Sequence, residues 1–232
     1  RRIGLQRFYC LQDSSIQLTV ISQILISRVV IDTDIRINTI AFHHPEEIMA
    51  NIDRVTRHIH DYFPDDDTLI FYRDSDGRNY CYDEDGNFWR VMNYVDSITF
   101  NSCDNLNVVE SVGQAFGHFA VQLSDFDGSV LYETIPDFHN TEKRLSTLFE
   151  DVENEEYKGE RLDEIAEDLA YIAKVRELAS SLSMKYNARQ LPVRVTHNDT
   201  KYNNILIDKV TGEARCVIDL DTVMLGMTLY DF

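Results

Sequence analysis

Residues 195–222, VTHNDTKYNNILIDKVTGEARCVIDLDT, leave the chain few ways to fold. Three short aliphatic runs, at 194–196, 205–207 and 216–218, alternate with polar tips, and runs of this length read as strands. Between the second and third runs, residues 209–213 carry Thr211-Gly212, a hairpin signal. A hairpin there returns the Asp219-Leu220-Asp221 end to the side of Asn204. Asp199, Asn204 and Asp219, distant in sequence, are then expected to converge.

That convergence suits phosphoryl transfer. The reaction needs a carboxylate to accept the proton of an attacking hydroxyl, and hard oxygen ligands for the Mg²⁺ that neutralises a triphosphate. An Asp placed five residues before an Asn, with a second Asp at the next strand end, supplies both. Lys201 is placed to reach the transferring group as a point charge. Asp and Asn also populate turns for their backbone hydrogen bonds alone. The full spacing with its flanking strands favours the chemical reading over that one.

The rest of the chain divides in character. Residues 16–40 alternate and are rich in Ile, Val and Thr, as strands are. Pro45 opens a helix, with Glu46 and Glu47 complementing its positive end. Ile48, Ile52, Val55, Ile59 and Phe63 give that helix one buried stripe, and Pro64 with the Asp run 65–67 stops it. Strands follow at 68–72, 80–82 and 88–95, with Asp76-Gly77 and Asp85-Gly86 as turns. Beyond Val95 two helical stripes appear, one from Val108 to Leu123 and one from Leu162 to Leu182, joined through an acidic, exposed segment at 150–160. The expected fold class is α+β: a small β-rich lobe, residues 1–92, then a larger mainly helical lobe, residues 93–232, with a ligand cleft between them. The histidines at 43, 44, 58 and 60 read as surface residues. Trp89 and the tyrosines near it read as hairpin core.

Net charge is −18, which argues against a nucleic-acid partner and against anionic membranes. The content of 44% hydrophobic and 27% charged residues is that of a folded globular protein. Four widely spaced cysteines without a CxxC read as reduced thiols, so a cytoplasmic location is expected.

The run HNDTKYNN followed by VIDLD resembles the H-x-D-x-x-x-x-N … D-x-D pattern of the aminoglycoside/choline kinase-like phosphotransferases, which share a two-lobed protein-kinase-like fold. More narrowly, FGHFAVQLSDFDGSVLYETIPDFHNTEKR, RVTHNDTKYNNILID and CVIDLDTVMLGMTLYDF resemble the N-acetylhexosamine 1-kinase branch. The likeness runs from about Asp32 to Phe232. It implies ATP and Mg²⁺ as cofactors and a small sugar as the acceptor, phosphorylated at its anomeric hydroxyl. Carried over position by position, Asp199 is the catalytic base, with Lys201 and His197 beside it in the catalytic group, His197 chiefly as a brace. Asn204 and Asp219 are the Mg²⁺ ligands, and Asp221 supports the metal. The crossover after the small lobe is the hinge, where the backbone of Val91, Met92 and Asn93 is expected to bind adenine.

Two parts of the pattern are missing. No glycine lies between Gly4 and Gly77, so no Gly-rich loop covers the phosphates, and no lysine precedes Lys143. Arg28 or Arg36 is the available substitute. The chain is therefore expected to be incomplete at both ends. Two other functions remain open: a kinase for an aminoglycoside, choline or similar amino alcohol, which the acidic composition suits, and a nucleotide-binding pseudokinase or scaffold.

Overall fold

The computed structural model describes residues 32–154, 160–187 and 190–232. Much of the strand-like run expected at 16–40, with Arg28, lies outside them. The first element is β1 (Asp32–Ile37). Helix α1 (Pro45–Tyr62) follows, with Pro45, Glu46 and Glu47 in its first turn. Its stripe is buried as the spacing requires: Ile48, Ile52, Val55 and Ile59 are all at 3% exposure or less. Next come β2 (Cys81–Tyr82) and β3 (Phe88–Asn93). The three strands form an antiparallel sheet in the order β1-β3-β2. Gly77 and Gly86 take the left-handed conformation their turns demand. The strand expected at 68–72 is reduced to a single bridge, Phe71 to Met92.

Helix α2 (Leu106–Gln122) begins at Asn105, whose side chain accepts a hydrogen bond from the Asn107 N–H. Helix α3 (Thr141–Glu153) is capped in the same way by Asn140. It buries no residue, so apolar spacing gives no sign of it, and the acidic stretch expected as a linker begins inside its last turn. The stripe expected over 162–182 is broken into α4 (Glu160–Glu164), α5 (Ala166–Ala179) and α6 (Ser181–Asn187). No helix among the described residues is long and apolar enough to cross a membrane.

The remaining strands are β4 (Val193–Thr196), β5 (Ile205–Ile207), β6 (Ala214–Val217) and β7 (Met224–Met227). Strands β5 and β6 form the expected antiparallel hairpin, with Ile205 opposite Val217. Strand β7 returns beside β4, setting Thr196 opposite Met224. Two apolar clusters carry this arrangement. One joins the α1 stripe to Phe88, Phe119, Val195, Leu220 and Val223, and so spans both halves of the molecule. The other seats Ile205 and Ile207 on Val108 and Val112 of α2. Both isoleucines are fully buried, which at about 1.5–3 kcal/mol each fixes the hairpin to the helix.

Candidate active site

The hairpin brings its two polar ends together. The Ile218 N–H donates to the Asn204 carbonyl at 2.9 Å, so Asp219 follows directly beside Asn204. Asn204 is buried, and its Nδ2 donates to the Asp199 carbonyl at 2.8 Å and to Asp199 Oδ2 at 3.1 Å. Lys201 Nζ donates to the same Oδ2 at 2.5 Å. Burial alone would raise the Asp199 pKa, but the hydrogen bonds from Lys201 and Asn204 outweigh it and hold the carboxyl below its ordinary value.

Asp219 is the opposite case. Its backbone is left-handed, at φ 59° and ψ 55°, and its carboxylate enters none of the described hydrogen bonds. It stays exposed to water although neighbouring protein crowds it. Burial, and then the charge of Asp221, push its pKa up, and Lys201 and Arg90 offset this only in part. The Asp199 charge also acts on it, so the two acids lie within electrostatic reach of each other. The two neighbouring carboxyls are driven in opposite directions by their surroundings. Asp199 is held by its donors, whereas the Asp219 charge is opposed by burial and by Asp221 and has no donor among the described hydrogen bonds.

That imbalance is the test of the expected magnesium. Among the described residues no three His, Cys, Asp or Glu side chains gather into a metal site. Mg²⁺ in nucleotide enzymes takes one or two carboxylates and completes its shell from phosphates and water. The Asp219 carboxylate and the Asn204 amide oxygen, which enters none of the described hydrogen bonds, fit such a donor set.

The surroundings of three other expected groups are as follows. Asp221 does not stand free beside Asp219, because Arg90 Nη1 of β3 donates to its Oδ1 at 2.5 Å. His197 is fully buried. Its Nε2 meets the Ile218 carbonyl at 2.9 Å, its Nδ1 meets the Asp199 N–H at 3.3 Å, and Phe116 and Phe119 stand edge-on to it. Neither nitrogen is left for a substrate, which makes the residue a brace. The backbone of Val91, Met92 and Asn93 is engaged in the middle of its sheet. Tyr72 N–H donates to the Val91 carbonyl at 2.9 Å, and Asn93 N–H to the Ile70 carbonyl at 3.0 Å. Past the strand, the Val95 carbonyl accepts a hydrogen bond from Ser97 Oγ at 2.9 Å. Arg36 is exposed, at the outer end of β1.

Sequence reasoning missed the residues that hold the 197–199 turn. Asp231 accepts the His197 N–H at 2.8 Å on one oxygen and the Asn198 N–H at 2.7 Å on the other. Asn198 itself is left-handed, at φ 68°, and its Nδ2 donates to the Thr222 carbonyl at 2.8 Å. His139 Nε2 meets the Asn198 carbonyl at 3.0 Å. No local spacing signals contacts this far apart. Arg90 did leave a trace: in β3 it takes the inward position after Phe88, where alternation calls for an apolar residue.

With this geometry in view, the comparisons are specific. A model of the phosphotransferase enzyme family matches residues 38–232. The structure is similar to aminoglycoside phosphotransferase APH(3'')-Id from Streptomyces rimosus ATCC10970, in complex with ADP and streptomycin. The TM-score is 0.55 at 12% identity, over 86% of this chain and 68% of that one. It is similar also to spectinomycin phosphotransferase APH(9)-Ia bound to AMP, with TM-score 0.56 at 11% identity, over 86% of this chain and 61% of that one. The complex of that enzyme with ADP and spectinomycin gives 0.54 at 13% identity, over 81% and 56%. The shared fold is the two-lobed protein-kinase-like one. This chain spans between 56% and 68% of the length of these three structures.

Proposed function

We infer the activity from kinship and geometry together: the chain belongs to the phosphotransferase enzyme family, and within it we propose transfer of the ATP γ-phosphoryl group to a hydroxyl of a small molecule. The observation that carries this reading is the meeting of Asp199, Asn204 and Asp219 at the mouth of the β5–β6 hairpin. Asp199, ionised at neutral pH, accepts the proton of the attacking hydroxyl. Lys201, now on Asp199, is close enough to turn its charge to the transferring group. Asn204 and Asp219 would hold Mg²⁺, which when bound would neutralise the triphosphate. Asp221 acts on Asp219 from behind through its bond to Arg90, and His197 and Asp231 hold the turn rigid. The backbone just past β3, at Tyr94, would meet the adenine. Most of the rate in such a site comes from positioning and charge.

For the acceptor we propose the anomeric hydroxyl of an N-acetylhexosamine, GlcNAc or GalNAc, which the three resembling stretches support. A second reading, an aminoglycoside or other amino alcohol, is favoured by the −18 charge and by the streptomycin and spectinomycin bound in the similar structures. ADP release measured with Mg²⁺–ATP against N-acetylhexosamines, aminoglycosides and choline separates them. Turnover confined to the first group is expected. Turnover confined to the cationic acceptors moves the assignment to the second reading. Nucleotide binding without turnover on any acceptor contradicts both and leaves a nucleotide-binding scaffold.

A further inference from the structure

We propose that Arg90 is a positioning residue for phosphoryl transfer: from the first lobe its guanidinium clamps Asp221, and so fixes both the turn that presents Asp219 and the approach of the two lobes around it. Arg90 is the one Lys or Arg buried among the described residues, at 5% exposure. Its surroundings are poor for a cation. Met49 Sδ lies 3.8 Å from Nη1, and beyond Asp221 the one favourable contact for the charge is the Phe71 ring face at 5.5 Å. Its Nε is buried with no hydrogen-bond partner. Asp221, its one acidic partner, is itself only 13% exposed and lies 131 positions along the chain.

A pair of this kind is a poor source of stability. Desolvating both ions costs as much as their attraction returns, and an apolar pair of similar volume usually folds as well or better. What the pair supplies is geometry. Asp219 sits in a left-handed conformation, which Asp tolerates better than most residues with a Cβ and which its neighbours here help to hold. The bonds around it are the Ile218 N–H to Asn204, the His197 Nε2 contact with the Ile218 carbonyl, the Thr134 Oγ1 bond to the Asp221 carbonyl at 3.0 Å, the Arg90 bond to the Asp221 side chain and, two residues on, the Asn51 Nδ2 bond to the Val223 carbonyl. Two of these come from the first lobe, and the Arg90 bond is the one that reaches the Asp219–Asp221 tip itself. It makes the position of Asp219 depend on how the lobes are seated.

The kinetic consequence rests on the proposed function, but the clamp itself can be tested without it. Hydrogen exchange is measured on the full polypeptide for residues 217–224, with α1 and α2 as internal references. Arg90→Met removes the charge and keeps the stem, and Arg90→Lys keeps the charge and loses the fork. The clamp predicts at least tenfold faster exchange at 217–224 in Arg90→Met, the same in Asp221→Asn, no further gain in the double variant, and an intermediate value in Arg90→Lys. It also predicts that the KM for Mg²⁺–ATP rises at least tenfold while the acceptor KM moves little. A merely structural defect would lower the active fraction, and with it kcat, leaving both KM values alone. Unchanged exchange at 217–224, or acceleration spread evenly over α1 and α2, overturns the proposal. If Arg90→Met does not fold, Arg90→Lys alone decides by the same criterion. Absence of turnover in the wild type overturns the proposed function instead, and the exchange result still judges the clamp.

Discussion

Asp231 shows how much of the site's order comes from residues that do no chemistry. Its two oxygens hold the His197 and Asn198 amides, so the turn carrying Asp199 cannot rotate. Asp231→Asn removes one acceptor and should slow turnover at least tenfold with little change in nucleotide affinity; steady-state kinetics and calorimetry check this. Asn204→Ala and Asp219→Ala should act on the other half of the site. Each is expected to weaken Mg²⁺-dependent ADP binding at least tenfold, about 1.4 kcal/mol, and unaltered titrations would count against a metal role. His139 adds a pH dependence. Burial, with Arg144 nearby, lowers its pKa below 6.5 despite its bond to Asn198, so the folded protein keeps it neutral where the unfolded chain is protonated. Its share of stability is whole above about pH 6.5 and is lost as pH falls below that value. The difference in urea midpoint between wild type and His139→Gln should therefore shrink between about pH 7.5 and pH 5.5. Cys216 belongs to the same scale. Burial pushes its thiol up to about 12, so peptide mapping should find it unmodified by alkylating reagents at neutral pH while the protein is folded.

At the scale of elements, the β5–β6 hairpin is the device that makes a site of separate residues. Its turn is built by Asp208, whose Oδ1 accepts the Val210 and Thr211 N–H groups, and by Gly212 at φ 74°. A Cβ on Gly212 would meet nothing within 4 Å, so Gly212→Ala pays only the backbone cost, about 1–2 kcal/mol by urea unfolding. Gly226 is the contrast. A Cβ there presses on Thr196 Oγ1 and comes near Asn198 Oδ1, beneath the catalytic turn. Gly226→Ala should cost activity out of proportion to stability, and a loss of stability alone would contradict that. The hairpin was legible in sequence because its signals are local: a Thr-Gly turn, two β-branched runs, and polar residues at fixed offsets. Helix α1 was legible for the same reason. Helix α3 was not, because it buries nothing, and the 68–72 strand was overcalled because Ile70 points to solvent at 55% exposure. His58 was read as a surface residue. Its side chain is in fact only 12% exposed, bonded to the Gln122 carbonyl and set against Phe126, contacts that depend on how α1 and α2 cross.

At the scale of the whole molecule, the two halves are joined by polar bonds as well as by the apolar cluster. Asn51 of α1, fully buried, donates to the Tyr132 and Val223 carbonyls and accepts the Tyr132 N–H, all within 3.1 Å. Asn51→Leu strands those backbone groups, and each should cost about 1–3 kcal/mol, seen as a lower urea midpoint. With a net charge of −18 the folded chain repels itself, so raising NaCl from about 0.05 M to about 0.5 M should raise the melting temperature. What connects these scales is the claim that the turn at 197–204 and the strand end at 219 form a single phosphoryl-transfer site. The most direct test is Asp199→Asn, assayed for turnover and for Mg²⁺–ADP affinity in parallel. The account predicts that kcat falls by roughly 10²–10⁴-fold while the affinity stays within about threefold of wild type. Turnover near the wild-type rate would contradict it.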